Sequence, residues 1–220
     1  MNAIQKIFRI YGRQYLELYG DRMPNIHKKA IRDICECRSG FFGAILYACN
    51  DCNTRQPVPC CCGNRLCPTC QQYKSEEWLH KQTENLLPTH YFLLTATLPE
   101  GLRDVARSHQ RIVYKAMFSC AHGALKKLAK DKRFIGSDRT GYLAVLHTWG
   151  SMLQYHPHIH MVIPGGAVSK DGTQWLSSRE DLFVHTGPFA VIFKAKFRDN
   201  MKKNKLYTQI PPCLESEMGR

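Results

Sequence analysis

The sequence has no long hydrophobic run and no secretory signature. No stretch approaches the roughly 18 consecutive apolar residues of a membrane-spanning helix. The first residues, Met1 to Lys6, form neither an apolar segment nor a cleavage site. We therefore expect a cytoplasmic protein without a membrane partner. Because thiols are reduced in that compartment, its 11 cysteines need a role other than disulfide formation.

Acidic residues are scarce relative to basic ones. Lys and Arg number 31 against 18 Asp and Glu, which gives a net charge of +13. Such a balance is typical of proteins that bind a polyanion, either nucleic acid or an acidic membrane face. We favour nucleic acid, and hence association with the nucleoid. Apolar residues make up 44% of the chain, which is enough for a folded core.

Cysteines are nearly absent outside one segment, and this divides the chain. Nine of the 11 lie between Cys35 and Cys70. Apolar periodicity predicts helices over residues 4–18 and from His27 to about Cys35, and residues 71–87 read as a polar helix that ends at Pro88. We predict N-terminal helices with a cysteine-rich domain over residues 1–88, a second domain over 89–212, and a short tail over 213–220.

Two CxxC pairs within the cysteine-rich segment indicate a metal site. The pairs are Cys49 with Cys52 and Cys67 with Cys70, separated by residues 53–66. A CxxC turn brings two thiolates to one ion, and two such turns match tetrahedral Zn²⁺ with four sulfur ligands. A redox-active dithiol is the alternative for a single pair. A site closed by four sulfurs has no open position for catalysis, so this zinc is expected to be structural.

The other cysteines leave two alternatives open. Cys37 and Cys62 could help to bind a second ion, or they could be buried free thiols. The zinc module could still present a DNA-binding surface, for which the candidates are Arg55, Asn64, Arg65 and Lys74.

The second part of the chain alternates strand and helix signals. Residues 90–98, 142–149 and 158–164 are predicted strands, and the last two are expected to pair antiparallel. Leu102 to Leu128 is one long helix or a broken pair. A final helix carries apolar residues on one face, and its outer side is basic through Lys194, Lys196 and Arg198, which are candidate DNA contacts. The fold class predicted is α+β, with a zinc-ribbon-like module before a central antiparallel sheet with flanking helices.

A His-x-His pattern marks the third predicted strand. Residues i and i+2 of a strand point to the same face, so His158 and His160 project together while Ile159 and Met161 point into the core. Two imidazoles on a rigid strand can chelate a divalent ion. His147 on the preceding strand can complete a three-nitrogen site. Gln154 and His156 are weaker candidates for the third position because both lie in or near the loop.

Several segments resemble the rolling-circle insertion-sequence transposases. They are CCGNRLCPTCQ (61–71), LLTATLP (93–99), YLAVLHTWGSMLQYHPHIHMVIPGG (142–166) and LYTQIPP (206–212). The similarity runs in order over most of residues 35–212. Members of this family join an N-terminal zinc-binding domain to an HUH nuclease domain with two catalytic tyrosines.

The resemblance implies a function and a set of roles. Zinc ligands would be Cys49, Cys52, Cys67 and Cys70, and the metal-binding histidines of the nuclease would be His158 and His160, with His147 as third ligand. The implied activity is transposition of DNA, with single-stranded element ends as substrate. A tyrosine hydroxyl attacks a phosphodiester, becomes linked to the 5′-phosphate and frees a 3′-OH, with Mg²⁺ or Mn²⁺ as the catalytic ion. An all-imidazole site suits Mn²⁺, Co²⁺ or Zn²⁺ better than Mg²⁺.

The chain departs from the family pattern after the histidines. Only one tyrosine follows His160, namely Tyr207, and it lies upstream of where the family's tyrosine pair belongs. Residues from Cys213 onward no longer resemble the family. We therefore expect a C-terminally truncated, catalytically incomplete transposase in which Tyr207 is structural. Ala44 and Leu66 stand where family members often have histidine, which argues against a second zinc.

Two other classes of function compete with this interpretation. A non-catalytic, zinc-dependent DNA-binding protein would explain the charge and the cysteines but would leave the three histidines unused. A metallo-β-lactamase-type hydrolase requires an aspartate shortly after the second histidine, whereas Met161, Val162 and Ile163 follow here.

Overall fold

A computed structural model describes residues 3–211, and these divide into two compact units. The division falls between Leu86 and Leu87, so unit 1 extends to residue 86 and unit 2 starts at residue 87. The predicted domain boundary lies two residues later. The predicted divergent tail, residues 213–220, lies outside the described residues. In the part of the chain that is described, no helix combines the length and the apolar character needed to cross a membrane.

Unit 1 consists of helices around a small hairpin. Its elements are α1 (Ala3–Tyr19), α2 (Asn25–Glu36), β1 (Ala44–Ala48), β2 (Arg55–Pro59) and α3 (Pro68–Glu84). Strands β1 and β2 pair antiparallel, with Ala44 opposite Pro59 and Ala48 opposite Arg55. Helix α3 starts directly after Cys67, with a proline at its first position, where the missing N–H costs nothing.

Unit 2 is built on a three-stranded antiparallel sheet. Its elements are β3 (Tyr91–Thr97), α4 (Arg103–Ser108), α5 (Gln110–Ala129), β4 (Leu143–Trp149), β5 (Tyr155–Pro164), β6 (Gly166–Val168), β7 (Trp175–Ser177) and α6 (Thr186–Lys203). The strand order is β3-β5-β4, and β6 and β7 form a separate hairpin. The predicted antiparallel pairing of β4 with β5 and the predicted α+β class are both confirmed.

Alternation along β5 separates a core face from an open face. Ile159, Met161 and Ile163 are almost completely buried, at 0%, 1% and 1% exposure. They belong to one apolar cluster that includes residues of α5 and α6. His158 and His160 lie on the opposite face, as the two-residue period of a strand requires. The predicted orientation of this strand is therefore confirmed.

Of the two alternatives predicted for the helical stretch after Leu102, the structure has the broken pair, because His109 leaves the helical region (φ −125°, ψ 42°) between α4 and α5. Other elements differ from the prediction. Strand β5 starts three residues earlier than predicted, at Tyr155. The β1–β2 hairpin was not predicted because all ten of its strand residues are exposed and show no apolar alternation.

Candidate metal centres

Four cysteines of unit 1 converge on one point. The Sγ atoms of Cys37, Cys62, Cys67 and Cys70 all lie within 4.8 Å of one another. Cys70 Sγ is 3.5 Å from both Cys37 Sγ and Cys62 Sγ. Sulfurs bound to a common zinc at about 2.3 Å lie about 3.8 Å apart in a tetrahedron. The four thiols therefore fit a closed, four-sulfur zinc site.

Side chains of α1 hold this cluster in place. Gln5 is only 2% exposed. Its amide nitrogen donates to the backbone carbonyl of Cys37 at 2.8 Å, and its amide oxygen accepts from the Thr69 hydroxyl at 2.9 Å. Arg9 donates to the same Cys37 carbonyl at 2.9 Å. A buried glutamine with both ends bonded links α1 to the residues beside two of the cysteines, so α1 is part of the metal-binding fold.

The thiols of this cluster differ in their pKa values. Burial raises the pKa of Cys62 to about 11, and burial followed by contact with the thiols of Cys62 and Cys37 raises the pKa of Cys70. Burial also opposes ionisation of Cys67, but the backbone N–H of Cys70 and the neighbouring thiols outweigh it and lower the Cys67 pKa. Cys67 is thus more readily deprotonated than Cys62 or Cys70, and a bound cation would favour the thiolate at all four positions.

The structure brings together only two of the four predicted zinc ligands. Cys67 and Cys70 belong to this cluster, where their neighbours are Cys37 and Cys62 rather than Cys49 and Cys52. The latter pair is exposed at the tip of the β1–β2 hairpin, where Asn53 has a left-handed backbone (φ 56°). The difference between the predicted grouping and the observed cluster has a physical cause: a CxxC spacing shows that two thiols can meet, but not which second pair they face. Cys37 carried no such local signal because its partners are at least 25 residues away.

The predicted DNA-contacting residues of unit 1 are on the surface. Arg65 and Lys74 are exposed. Arg55 is exposed in β2. Asn64 has a structural role instead, because its amide donates to the Asp33 carboxylate at 2.7 Å.

Three histidines of unit 2 also converge. One nitrogen each of His147, His158 and His160 lies within 4.8 Å of the other two. His147 in β4 is directly opposite His158 in β5. Its ring stacks on that of His160 with a centroid distance of 4.4 Å. Nitrogens at about 2.1 Å from a shared ion lie at most about 4.2 Å apart, so small side-chain rotations are enough to bind one.

The protonation pattern of this cluster suits a metal. His158 Nδ1 donates to the backbone carbonyl of His156 at 2.7 Å, because a carbonyl can only accept. In neutral His158 the lone pair is therefore on Nε2, as in a histidine oriented for metal binding. Burial, and then the proximity of His147 and His158, lowers the pKa of His160. That shift keeps its imidazole neutral, which is the ligating form.

The two weaker candidates for the third position have other contacts. His156 Nδ1 accepts a hydrogen bond from the Arg103 guanidinium at 3.0 Å. The Gln154 side chain packs against Gly150. Neither His156 nor Gln154 belongs to the three-histidine group. The geometry therefore favours His147.

Arg103 is a residue that sequence reasoning missed. Its guanidinium bridges His156 and the Glu100 carboxylate, the latter at 2.8 Å. Among the described residues its buried Nε has no hydrogen-bond partner. Arg103 thus orients the residue whose carbonyl fixes the His158 tautomer. No local pattern marks it, because it lies 53 residues from His156.

The predicted basic residues of α6 do not form one surface. Lys194 lines a cavity against β3, whereas the Lys196 side chain lies over Gly123 of α5. Arg198 pairs with Asp199 at 3.5 Å. Residues two apart on a helix face different directions, which explains the separation.

Tyr207, the only tyrosine after the histidines, packs against the core. It lies in a short 3₁₀ helix and contacts the apolar cluster of unit 2, on the side of the sheet away from His158 and His160. The Lys202 ammonium is 4.9 Å from its ring centroid. The contacts are those of a structural aromatic residue.

Comparisons with known protein families match segments in both units of the chain. A family described as a transposase zinc-binding domain matches residues 7–98, and one described as a putative transposase matches residues 141–217. The second match extends into the predicted divergent tail. The first match and the four-cysteine cluster together support a structural zinc ion in unit 1.

Two curated relatives are longer transposases. The chain is 34% identical over 200 residues to putative transposase y4qJ of Sinorhizobium fredii (strain NBRC 101917 / NGR234), which covers 91% of this chain and 50% of that protein. It is 26% identical over 159 residues to the transposase for insertion sequence element IS801 of Pseudomonas savastanoi pv. phaseolicola, with 68% and 36% covered. The chain thus spans half the length of the first relative and less of the second.

Solved structures give a weaker likeness. A conjugative relaxase, TrwC, in complex with oriT DNA in a copper-bound form aligns with a TM-score of 0.39 and 17% identity, over 51% of this chain and 42% of that chain. Its metal-free form aligns with the same TM-score.

The two family matches and both relatives agree with the resemblance inferred from the sequence. The chain belongs to the family of rolling-circle insertion-sequence transposases.

Proposed function

We propose that this chain binds single-stranded DNA beside a divalent ion held by His147, His158 and His160, as part of rolling-circle transposition. The observation that carries the proposal is the convergence of three imidazole nitrogens within 4.8 Å on the open face of an antiparallel sheet. Three nitrogen ligands leave coordination positions for a phosphate oxygen, unlike the closed cysteine site.

Hydrogen bonds from residues around this site fix the tautomer and orientation of its ligands. The His156 carbonyl keeps the His158 proton on Nδ1, and Arg103 holds His156. A bound divalent ion would supply Lewis-acid polarisation of a phosphodiester. For an all-imidazole set we propose Mn²⁺ as the ion, because nitrogen ligands suit it better than Mg²⁺.

The open face of the sheet offers a surface for unstacked bases. Leu93 of β3 is 64% exposed and lies opposite Val162 of β5. Val145 and Val162 are also partly exposed on this face. Trp149, at the end of β4, is 57% exposed but lies opposite Tyr155, whose hydroxyl bonds Tyr114 of α5, so it is not counted as part of this face. Exposed apolar side chains next to a metal site can contact the faces of single-stranded bases, which a paired duplex would keep inside its helix.

We further propose that Tyr207, the only tyrosine that follows the histidines in the sequence, is not a nucleophile for DNA cleavage. It packs against the apolar cluster of unit 2, and the Lys202 ammonium lies over its ring. The same observation favours the second candidate function, a zinc-dependent DNA-binding protein without cleavage activity.

For unit 1 we propose that Cys37, Cys62, Cys67 and Cys70 bind the structural zinc. Four thiolates close the tetrahedron, so the ion stabilises the fold and takes no part in chemistry. Because Cys37 follows α2 and Cys67 starts α3, the ion would join the two helices.

The zinc assignment predicts which cysteines matter. Cys37→Ser combined with Cys62→Ser should remove the bound zinc, about one ion per chain, and unfold unit 1, because a structural zinc contributes directly to folding free energy. Metal content by mass spectrometry and helicity by circular dichroism measure both effects. The matched control is Cys49→Ser with Cys52→Ser, which should keep this zinc. Loss of zinc in the control with retention in the first variant would restore the ligands predicted from sequence.

The histidine site predicts metal-dependent DNA binding. His158→Ala with His160→Ala should lower Mn²⁺ affinity by at least about tenfold, since even residues that only support ligands have effects of that size. Single-stranded DNA affinity should then no longer increase on adding Mn²⁺, as measured by fluorescence anisotropy in metal-depleted buffer. His27→Ala with His80→Ala, which removes two exposed histidines of unit 1, should behave like the wild type. Equal Mn²⁺ dependence in all three proteins would refute the site.

A cleavage assay tests the missing nucleophile. With Mn²⁺ and single-stranded oligonucleotides from element ends, the chain should bind but form no covalent protein–DNA adduct on a denaturing gel. Tyr207→Phe should change neither result, because the Tyr207 ring packs against the apolar cluster of unit 2 and phenylalanine keeps that packing. An adduct that the wild type forms and Tyr207→Phe does not would overturn this part of the proposal.

A further inference from the structure

We propose that a groove between α5 and α6 binds the phosphates of a nucleic acid strand, at a second site separate from the three histidines. Its ligand class rests on the proposed DNA-binding function, whereas its geometry is independent of the metal centre. The groove is a cavity of about 380 Å³ lined by polar side chains of both helices.

Basic side chains converge in this groove from two helices. Arg111 and Lys115 come from α5, and Lys203 comes from the last turn of α6. Arg111, Lys115 and Ser119 are spaced by four residues, so they form one stripe along α5. No aspartate or glutamate is among the lining residues. The groove therefore concentrates three positive charges without an opposing charge.

The charge continues along the helix pair beyond the cavity. A methyl group placed on Gly123 of α5 would be 3.0 Å from Cε of Lys196 in α6, so the Lys196 side chain lies across α5 at that point. Gly123 is two turns beyond Lys115, and Lys196 is two turns before Lys203. The helices thus run antiparallel here and present a basic row, and a row fits an extended polyanion better than a single ion does.

These three cations differ from other basic residues of unit 2. Arg133 and Arg179 each pair with an aspartate at 2.7 Å. Across residues 3–211, no carboxylate lies within ion-pair distance of Arg111, Lys115 or Lys203. Like charges gathered without partners repel one another, and a bound phosphate would relieve that repulsion.

Neutral donors complete the site. Asn204 donates to the Asn200 side-chain oxygen at 2.9 Å, which leaves the Asn200 amide NH₂ to donate. The Ser119 hydroxyl lines the same groove. Cations combined with hydroxyl and amide donors are the groups that contact phosphate oxygens in nucleic acid complexes.

The position of the groove separates it from the histidine site. Buried residues of α5 and α6 pack on the face of β5 that carries Ile159 and Met161, and the histidines are on the other face. Because the groove is on the helical side of the sheet, it would hold a different segment of DNA from the one beside the histidines.

The test removes the three charges together. Arg111→Ala, Lys115→Ala and Lys203→Ala in one chain should weaken binding of single-stranded DNA at least tenfold at low salt in metal-free buffer. The slope of log affinity against log salt concentration is negative, and each lost phosphate contact reduces its magnitude by about 0.7. Three lost contacts should therefore make the slope less steep by about 2. The variant with Lys115→Arg and Lys203→Arg keeps the charge and should retain both affinity and slope.

A matched control removes three charges from the same unit. Lys127→Ala, Lys130→Ala and Lys132→Ala are exposed positions outside the groove. This control should change the slope by much less than the groove variant. Equal effects of the two variants would show a non-specific charge effect and overturn the groove. Circular dichroism of both variants checks that each is folded.

Three further outcomes separate this proposal from the others. If the groove variant binds normally while His158→Ala with His160→Ala abolishes the Mn²⁺ effect, the groove is refuted and the proposed function stands. If the groove variant binds weakly while His158→Ala with His160→Ala keeps the Mn²⁺ effect, the histidine site is refuted and the groove stands. If inorganic phosphate binds the wild type but not the groove variant, and DNA affinity is equal in both, the groove is a free-phosphate site and the nucleic acid assignment is wrong.

Discussion

Alternate residues of strand β5 lie in two environments, the apolar core on one face of the sheet and the open face on the other. The placement of the histidine site in unit 2 depends on this alternation. Ile159, Met161 and Ile163 are buried against the helices, so the residues between them must face the other way. A shift of one residue in register would exchange the two sets, placing imidazoles in an apolar core and isoleucine in solvent. The burial of the apolar set therefore fixes where His158 and His160 point. Because β5 is the central strand, β4 delivers His147 beside them.

The four cysteines of unit 1 come from elements that are not neighbours in one sheet, unlike the three histidines. The histidines come from adjacent strands of one sheet, whereas the four thiols come from the end of α2, the segment after β2 and the start of α3. Elements this dispersed have few apolar contacts with one another, and the buried cluster there contains only Ile34, Cys37 and Cys67 among the described residues. A small module with so little core requires another source of stability, and a closed zinc site with the bonded Gln5 supplies it.

The sequence alone predicted those features that repeat with a short period. The alternation in β5, the pairing of β4 with β5 and the helical stripe of α6 were all recoverable, because neighbouring residues carry the signal. Features that depend on distant residues were not. Cys37 meets Cys62 across 25 residues, Arg103 reaches His156 across 53, and Arg111 and Lys203 of the α5–α6 groove are 92 residues apart. The structure separates Cys49 and Cys52 from the four-cysteine cluster for the same reason: local spacing identified a turn that can bring two thiols together, but their surroundings depend on the fold.

We propose that three imidazoles on one sheet face bind a single divalent ion. A crystal of the chain grown with Mn²⁺, with anomalous diffraction recorded at a wavelength where manganese scatters strongly, is the decisive test. We expect one anomalous peak bound by nitrogens of His147, His158 and His160, with open coordination positions toward solvent. No peak at this position, or a peak bound by His156 in place of His147, would contradict it.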